Sequence, residues 1–468
     1  MGRRNKPLLA NLTITDAGSE GKAVAKHNEK VVFVPYAMPG DVVDVQVTKK
    51  RKKYMEGKVV HFHQKSSRHQ EPFCEHFGTC GGCKWQHMSY EDQLFYKEKQ
   101  VKDNLERIGR IDVSGISPIM DSEKATYYRN KLEFTFSHKR WIHQDEPILE
   151  DGDPRQKGLG FHIPGFFDKI EDVKHCYLMQ EPSNGIRLEA KKFAVENGYS
   201  FYDLRNKTGF LRNLIIRVST TGDLLVNLVI GNPEPEKAKA LLDHLKLKYP
   251  EITSLFYTIN EKVNDSLTDL QATHYRGQKM MTEKMEDLYF HVGPMSFYQT
   301  NANQAYRLYD KVREFADLKG DEVVYDLYTG AGTIALFMAR YAKKVVGVEY
   351  VEDAVKDAVK NANLNGIENT AFVAGDMARV FDNEFVNTHG QADVIIADPP
   401  RAGMHPDVVK RIMEIAPEKL VYVSCNPSTQ ARDVEVLKEK YVIQKIQPVD
   451  MFPQTHHVEN IMLLQRET

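Results

Sequence analysis

The sequence predicts a multidomain protein with a small OB-like β-barrel in residues 1–65, an α+β domain in residues 66–285 and an α/β domain with a doubly wound parallel sheet in residues 286–468. Short runs of alternating apolar and polar residues between glycine turns predict the barrel. A cysteine cluster followed by mixed strand and helix patterns marks the middle of the chain. From about residue 322, strand and helix patterns alternate, which is typical of a parallel sheet covered by helices.

The barrel is indicated by short runs of alternating residues at 31–34, 41–47 and 57–62, which predict antiparallel strands. A run of cations at residues 49–53 precedes Tyr54 and falls between two of these strands. A solvated hairpin tip explains such a run. Several cations beside a tyrosine also suit phosphate contact and base stacking, so we expect this tip to contact RNA.

Composition excludes several classes of protein. The chain has 468 residues with 63 Lys and Arg against 65 Asp and Glu, so its net charge of −2 carries no general nucleic-acid signature and any RNA-binding surface must be local. No apolar stretch approaches the roughly 18 residues of a membrane span, and the basic N-terminus lacks the apolar segment of a signal peptide. We therefore expect a cytoplasmic protein. Its five cysteines are too few for a disulfide scaffold and indicate metal binding or catalysis.

The middle of the chain carries four thiols that could share one metal centre. Cys74, Cys80 and Cys83 lie within ten residues, and Cys176 stands far downstream. Four soft ligands suit either an iron–sulfur cluster or a structural zinc ion, and spacing alone does not separate the two. The patterns around them predict helices and strands, namely helices at residues 90–108 and 235–245 and strands at residues 131–136, 214–218 and 224–230.

The C-terminal part carries a glycine turn suited to a nucleotide-type ligand. Its predicted strands are residues 322–328, 344–349, 370–374, 392–397, 419–423, 441–449 and 460–465. Residues 326–333 (DLYTGAGT) open a helix after the first strand, and Glu349 ends the second, where a carboxylate can bind both ribose hydroxyls. The turn lacks the third glycine of a dinucleotide fingerprint and has no P-loop Lys-Ser/Thr pair. S-adenosylmethionine has no pyrophosphate and needs neither, so it is the predicted ligand, with NAD as the alternative.

Two further carboxylates stand at strand ends. Asp376 follows the third strand, where it suits contact with adenine, although a helix N-cap explains it equally well. Asp398 ends the fourth strand in Asp-Pro-Pro-Arg, and the two prolines fix an extended loop at the crevice. As an isolated motif, Asp-Pro-Pro also resembles the loop of amino-group methyltransferases.

Cys425 is the fifth cysteine and follows the fifth predicted strand. Asn426 and Pro427 break that strand before a polar segment that opens a helix. A thiol at the carboxyl end of a parallel strand lies where open α/β sheets bind ligands. A free thiol has a pKa of about 8.5 and needs assistance to become a thiolate. The alternative is a buried structural cysteine that acts as a small apolar residue.

Five motifs in order make the chain resemble the RNA uracil-5-methyltransferases, most of all the iron–sulfur members that act on large-subunit ribosomal RNA. They are FYQTN at 297–301, DLYTGAG at 326–332, DPPR at 398–401, SCNP at 424–427 and DMFPQTHHVE at 450–459. The resemblance covers essentially the whole chain. It implies a TRAM-type barrel, a central domain that holds a four-iron, four-sulfur cluster on the four clustered cysteines, and a C-terminal Rossmann-like methyltransferase domain that uses S-adenosylmethionine.

The resemblance also implies roles for individual residues. Cys425 is the expected nucleophile that adds to C6 of uracil, and Glu459 is the expected base that removes the C5 proton. The residues expected to line the methyl-donor site are Gln299, Tyr328, Thr333, Glu349, Asp376 and Asp398. Thr333 departs from the family pattern, because some relatives have asparagine there. The helix near residues 90–110 is expected to pack on the catalytic domain.

The predicted reaction is methyl transfer from S-adenosylmethionine to C5 of a specific uridine in 23S rRNA by a monomeric enzyme. The target base must leave the RNA fold, and Phe297 and Tyr298 are placed either to hold it or to pack in the core. Three alternatives stay open at this point: methylation of uracil C5 in transfer RNA, methylation of an adenine amino group in RNA, and a non-catalytic RNA-binding protein with a metal cluster.

Overall fold

A closed barrel forms the N-terminal part of the protein. The computed structural model describes residues 6–150, 152–267 and 269–467, so residues 1–5, 151, 268 and 468 of the predicted domains lie outside the described residues. The barrel strands are β1 (Leu8–Ala17), β2 (Lys22–His27), β3 (Lys30–Pro35), β4 (Val42–Lys50) and β5 (Tyr54–Gln64). They close in the order β1-β2-β3-β5-β4. Alternate side chains such as Val43, Val45 and Val47 fill the interior, as the period of two predicts.

One pairing corrects the predicted antiparallel barrel. β3 and β5 run parallel, with Val31 beside Tyr54, whereas the other four pairings are antiparallel. β5 returns along β4 through a hairpin and must also reach β3 to close the barrel, and the two strands meet there in the same direction. The cation run lies at the β4–β5 turn, where residues 50–53 are exposed.

A seven-stranded sheet with two packed helices follows the barrel. The elements of this part are α1 (Tyr90–Arg107), β6 (Lys131–Ser137), β7 (Gly158–Ile163), β8 (Phe166–Glu171), α2 (Ser183–Glu196), β9 (Leu211–Val218), β10 (Leu224–Ile230), α3 (Pro235–Lys248), β11 (Ser254–Ile259) and β12 (Thr273–Gly277). The strand order is β12-β11-β10-β9-β6-β7-β8. β10 and β11 run parallel, and the other pairs are antiparallel. α2 and α3 pack on the sheet through Ile186, Ala190 and Leu241, which gives the α+β layers that the sequence predicts.

The C-terminal part is a parallel sheet with an antiparallel edge. Its elements are β13 (Met281–Met285), β14 (Leu288–Val292), α4 (Ala302–Ala316), β15 (Val323–Leu327), α5 (Thr333–Ala339), β16 (Lys344–Glu349), α6 (Glu352–Leu364), β17 (Thr370–Ala374), α7 (Met377–Val380), α8 (Asn383–His389), β18 (Val394–Ala397), α9 (Pro406–Ile415), β19 (Lys419–Ser424), α10 (Pro427–Leu437), β20 (Tyr441–Val449) and β21 (Glu459–Arg466). The order is β17-β16-β15-β18-β19-β21-β20, in which β15 to β19 are parallel and β21 is antiparallel. The strand order reverses between β15 and β18, so a ligand crevice is expected at their carboxyl ends.

Helix α1 packs on this C-terminal part although about two hundred residues of chain separate them in sequence. Val101 and Leu105 of α1 share a core with Ala431 of α10. Lys97 donates a hydrogen bond from Nζ to Oδ1 of Asp450 at 2.5 Å, and both side chains are wholly buried. The ion pair and the shared core fix α1 against the segment between β20 and β21.

Among the described residues, no helix is both long enough and apolar enough to span a membrane.

Candidate active site

The thiol of Cys425 lies at the carboxyl edge of the parallel sheet. β19 ends at Ser424, and the side chain of Asn426 caps α10 by accepting a hydrogen bond from the Ser428 amide at 3.2 Å. Pro427 is the first residue of α10, where its missing N–H is tolerated. β19 therefore ends just before Cys425, and α10 begins shortly after it. The side chain of Cys425 is half-buried at the crevice.

Two carboxyl groups accompany the thiol at this edge. Asp398 directly follows β18, the strand beside β19. The antiparallel pairing of Ser424 with Asn460 places Glu459, the first residue of β21, next to Cys425. Glu459 is only 7% exposed. Three strands thus deliver one thiol and two carboxyl groups to one place.

Burial shifts the titration of all three groups. It raises the pKa of Glu459 to about 8, with the charge of Asp398 adding to the rise and Arg401 opposing it. Burial also raises the pKa of Asp398 to about 7. The pKa of the Cys425 thiol is raised to about 11 by burial and then by the two carboxylates. Near neutral pH both carboxyl groups are partly protonated, which lessens their repulsion of a thiolate.

Arg401 is the cation of the site. Its guanidinium opposes the rise in the pKa of Cys425 by charge and by a hydrogen bond to the thiol. The loop that carries it is held by Asn426, whose Nδ2 donates to the Arg401 carbonyl at 2.9 Å. Nη2 of Arg401 also donates a hydrogen bond to Nδ1 of His457 at 2.6 Å. Sequence reasoning did not select Arg401, although it stands in the Asp-Pro-Pro-Arg motif beside the predicted Asp398.

This arrangement supports nucleophilic chemistry followed by proton removal. A thiol is activated when a cation stabilises its thiolate, and Arg401 is placed to do so. A buried carboxyl with a pKa of about 8 is suited to exchange a proton near neutral pH, and Glu459 has that property. The same edge of the sheet therefore holds a thiol and a carboxyl group of the kinds that such chemistry uses.

The glycine turn after β15 has positive φ angles, which glycine adopts without strain. Gly330 and Gly332 have φ of 56° and 81°, and Tyr328 adopts 69°. Glu349 accepts a hydrogen bond from the Gly330 amide at 3.0 Å, which ties the turn to the end of β16. Thr333, the residue that departs from the family pattern, is the first residue of α5.

The six predicted methyl-donor residues do not all line one opening. Tyr328, Glu349 and Asp376 line a cleft of about 770 Å³. Gln299 and Asp398 instead both lie near the buried Tyr309: burial and the Asp398 charge raise the pKa of this tyrosine, and Gln299 opposes the rise. Thr333 lies at the turn and lines neither place. The six residues therefore form two separate groups, and Thr333 belongs to neither.

The position of Asp376 is compatible with both predicted roles, the helix N-cap and the ligand contact. Its side chain caps α7 by accepting from the Ala378 amide at 3.1 Å. It also lines the cleft beside Glu349. The capping role is observed, and a ligand contact stays a prediction.

The two aromatic residues before Gln299 differ in exposure. Phe297 is 74% exposed, whereas Tyr298 is 5% exposed and belongs to the core that includes Phe290. Tyr298 is therefore a packing residue, and Phe297 alone is available to contact a base.

The four clustered cysteines line one cavity. Cys74, Cys80, Cys83 and Cys176 surround a space of about 170 Å³. Burial raises the pKa values of Cys80 and Cys83 to about 12 each, so these thiols keep their protons unless a metal replaces them. Within the described residues, no three His, Cys, Asp or Glu side chains gather closely enough around one point to hold a single ion. Four thiols around one cavity are a donor set that suits either an iron–sulfur cluster or a structural zinc ion.

The residues near the cysteines are buried or half-buried. Trp85 is 1% exposed and donates from Nε1 to the Gly21 carbonyl at 3.3 Å, so it packs against the barrel. Arg129 lines the cysteine cavity. Burial lowers the pKa of Lys131. Of this group, Trp85 is unavailable for stacking on RNA.

Two family models match the chain. The one described as tRNA (Uracil-5-)-methyltransferase matches residues 272–467, which include the candidate active site. The TRAM domain model matches residues 10–60, which lie in the barrel. The predicted TRAM-type barrel is thereby confirmed.

Relatives of similar length cover almost the whole chain. A protein named as an uncharacterized RNA methyltransferase from Bacteroides thetaiotaomicron is 53% identical over 450 residues, which is 96% of this chain and 99% of that protein. Another of the same description from Chlorobaculum tepidum is 39% identical over 471 residues, with 99% and 98% covered. The solved structure of the Pyrococcus abyssi tRNA (uracil-54, C5)-methyltransferase with S-adenosyl-L-homocysteine covers 97% of this chain and 100% of that chain, with 27% identity and a TM-score of 0.73.

Proposed function

Because this chain belongs to the S-adenosylmethionine-dependent RNA (uracil-5-)-methyltransferases, we propose that it methylates C5 of a specific uridine in 23S rRNA through a covalent bond from Cys425 to C6. The observation that carries this proposal is the meeting of Cys425, Glu459 and Arg401 at one edge of the sheet. An amino-group methyltransferase needs neither the thiol nor the buried base.

The reaction proceeds in steps that balance. The Cys425 thiolate, stabilised by Arg401, adds to C6 of uracil, and the electron pair of the C5–C6 double bond becomes an enolate with density at C5. C5 takes the methyl group from the sulfonium, and S-adenosylhomocysteine leaves. The Glu459 carboxylate then removes the C5 proton, the C5–C6 double bond re-forms, and the C6–S bond breaks to return the thiolate. Asp398, with a pKa of about 7, can donate a hydrogen bond to the uracil edge while protonated.

The methyl donor is proposed to lie between the open cleft and the thiol. In this proposal Tyr328, Glu349 and Asp376 hold the adenosine end, which the cleft beside them supports. Gln299 and Asp398 hold the end nearer Cys425, and Thr333 contacts the donor from the glycine turn. Both carboxylate oxygens of Glu349 already accept backbone amides, at 3.0 and 2.9 Å, which fixes its orientation and leaves lone pairs for ribose hydroxyls.

The cysteine cavity is proposed to hold a four-iron, four-sulfur cluster on Cys74, Cys80, Cys83 and Cys176, with zinc as the less favoured occupant. The donor set and the space between the four thiols support the cluster. All four thiols are used as ligands in this proposal, so the group supplies structural support and positions RNA. The methyl-transfer steps above do not pass through it.

The proposal also specifies the class of RNA that is methylated. The motifs and the cysteine set favour ribosomal RNA, and the exposed cations at the barrel tip, residues 50–53, supply phosphate contacts. Transfer RNA is the second candidate, because the Pyrococcus abyssi relative is a tRNA (uracil-54, C5)-methyltransferase.

One experiment separates these substrates. Protein purified without oxygen is given methyl-labelled S-adenosylmethionine with unmodified 23S rRNA or unmodified tRNA, and the nucleosides are analysed by mass spectrometry. Labelled 5-methyluridine in 23S rRNA, lost in Cys425→Ala and kept in the control Ser114→Ala at an exposed residue, is the expected result. Label in tRNA alone replaces the rRNA proposal, and labelled methyladenosine refutes the uracil chemistry.

A further inference from the structure

Arg129 stands between the cysteine cavity and the segment that precedes the proposed base. We call residues 450–458, which join β20 to β21, the 450–458 loop. Arg129 lines the cavity with the four cysteines, and its amide donates to the Leu178 carbonyl at 2.7 Å, two residues after Cys176. Its Nε is buried and has no hydrogen-bond partner among the described residues. A buried donor without an acceptor is costly, so an acceptor is expected at this place.

The other side of the same guanidinium contacts the 450–458 loop. Its central carbon lies 5.1 Å from the ring centroid of Phe452, a cation–π distance. Phe452 is itself held, because its carbonyl accepts from Lys97 Nζ at 3.0 Å. The Phe452 ring meets the ring of His457 edge-on at 6.4 Å. His457 accepts from Arg401, the cation beside Cys425.

These contacts form an unbroken path from the cysteine cavity to the nucleophile. We propose that Arg129 is a positioning residue that donates its Nε–H to a sulfur atom of the cysteine-bound group and, through its stack on Phe452, holds the 450–458 loop in the conformation that the active site uses. Sulfur atoms of thiolates and clusters accept such hydrogen bonds, and partners of this kind orient a metal site and tune it. The inference rests on the proposed cluster and names the residue that links it to the active site.

The competing explanation is that Arg129 only packs between two parts of the fold. Two measurements on the anaerobically purified whole protein, with its iron and sulfide contents determined, separate the explanations. One is the rate at which the visible absorbance bleaches in air, which reports the cysteine-bound group. The other is hydrogen–deuterium exchange of the 450–458 amides, which reports the loop and needs no RNA or methyl donor.

The variants are Arg129→Lys, Phe452→Leu and both together, with Arg155→Lys as the matched control. Arg155 is an exposed arginine that pairs with Asp153. Arg129→Lys keeps the charge but loses Nε and the flat guanidinium. We expect it to bind iron and sulfide as the parent does, to bleach about fivefold faster and to exchange its loop amides about fivefold faster, the effect of losing one hydrogen bond or one cation–π contact. Phe452→Leu is expected to speed loop exchange alone.

The double variant tests the coupling directly. If Arg129 holds the loop through Phe452, the double variant exchanges its loop no faster than the more affected single variant. The proposal is overturned if the effects of the two single changes on loop exchange multiply in the double variant. It is also overturned if Arg129→Lys bleaches, or exchanges its loop amides, at the parental rate. If Arg129→Lys does not fold, chelating the metal from the parent is expected to speed loop exchange about fivefold, with no such effect in Phe452→Leu. A parent that purifies without iron and sulfide refutes the cluster itself, and that result is visible before any variant is made.

Discussion

Release of methylated RNA from Cys425 is predicted to accelerate with pH until Glu459 is ionised. Only the carboxylate form can accept the C5 proton, so the rate constant for release follows the ionised fraction of this side chain. Its pKa of about 8 means that about one molecule in a hundred is ready at pH 6 and about one in ten at pH 7. We expect the rate constant to rise nearly tenfold over that interval and to level off above about pH 9.

The assay must separate release from formation of the covalent bond. The pKa of Cys425 is about 11, so thiolate formation also increases through this pH range. The covalent complex is therefore assembled first at pH 6 with labelled methyl donor and RNA, and the pH is then jumped to values between about 6 and 9.5. Samples quenched in denaturant and separated on denaturing gels give the fraction of protein still joined to RNA at each time.

Two variants complete this experiment. Glu459→Gln is expected to form the complex and to release it slowly at every pH, because the amide cannot take the proton. Glu418→Gln removes an exposed carboxylate just before β19 and is expected to behave as the parent does. A release rate that is already at its plateau at pH 6, or a parental pH profile in Glu459→Gln, would refute the assignment of Glu459 as the base.

The remaining predictions concern the nucleophile, the buried ion pair, the barrel and the cysteines. Cys425→Ala is expected to give neither labelled 5-methyluridine nor an RNA complex on denaturing gels, while still binding the RNA in a filter assay. Lys97→Met removes the cation from the wholly buried Asp450, which keeps the neutral Tyr90 hydroxyl and Phe452 amide as hydrogen-bond donors, and is expected to cost about 3–5 kcal/mol of unfolding free energy in urea titrations. If the loss is under about 1 kcal/mol, the pair does not anchor α1. Replacing the cations at residues 50–53 with glutamine is expected to weaken RNA binding and to flatten its salt dependence by about 0.7 in log–log slope for each lost phosphate contact, and an unchanged slope contradicts RNA contact at the barrel tip. Cys83→Ser is expected to lower bound iron and sulfide together in metal and sulfide assays, whereas parental contents rule out this thiol as a ligand.

Sequence patterns predicted the C-terminal sheet well because most of its strands, β17 and β20 excepted, are buried on both faces. Each of the seven predicted strands is present, with ends within two residues of the predicted ones. The central part was harder. The strands β7, β8, β11 and β12 were not predicted, and in β8 and β12 exposed or charged residues hide the period. The parallel β3–β5 pair arises from barrel closure, which no local pattern encodes.

The residues of the candidate site could be selected from the sequence, but their arrangement could not. Cys425 and Glu459 stood in recognisable motifs, and the sheet register places them side by side. The proximity of Arg401 to the thiol depends on a loop held by Asn426, and no spacing rule contains that contact. The division of the methyl-donor residues between the cleft and Tyr309 likewise follows from packing across strands that are far apart in sequence.

The 450–458 loop meets residues from all three parts of the chain. Gln93 of α1 exchanges two hydrogen bonds with Gln454 of this loop, at 3.0 and 2.8 Å. The amide of Lys84, which follows Cys83, donates to the Gln454 carbonyl at 2.8 Å, so the cysteine segment touches the same residue. The barrel reaches the loop as well, because a Cβ on Gly21 would lie within 3.4 Å of His456. Contacts from all of these sides position the loop together, and it leads directly into Glu459. RNA that engages the barrel or the cysteine segment therefore contacts the same elements that hold Glu459, the proposed base, beside Cys425.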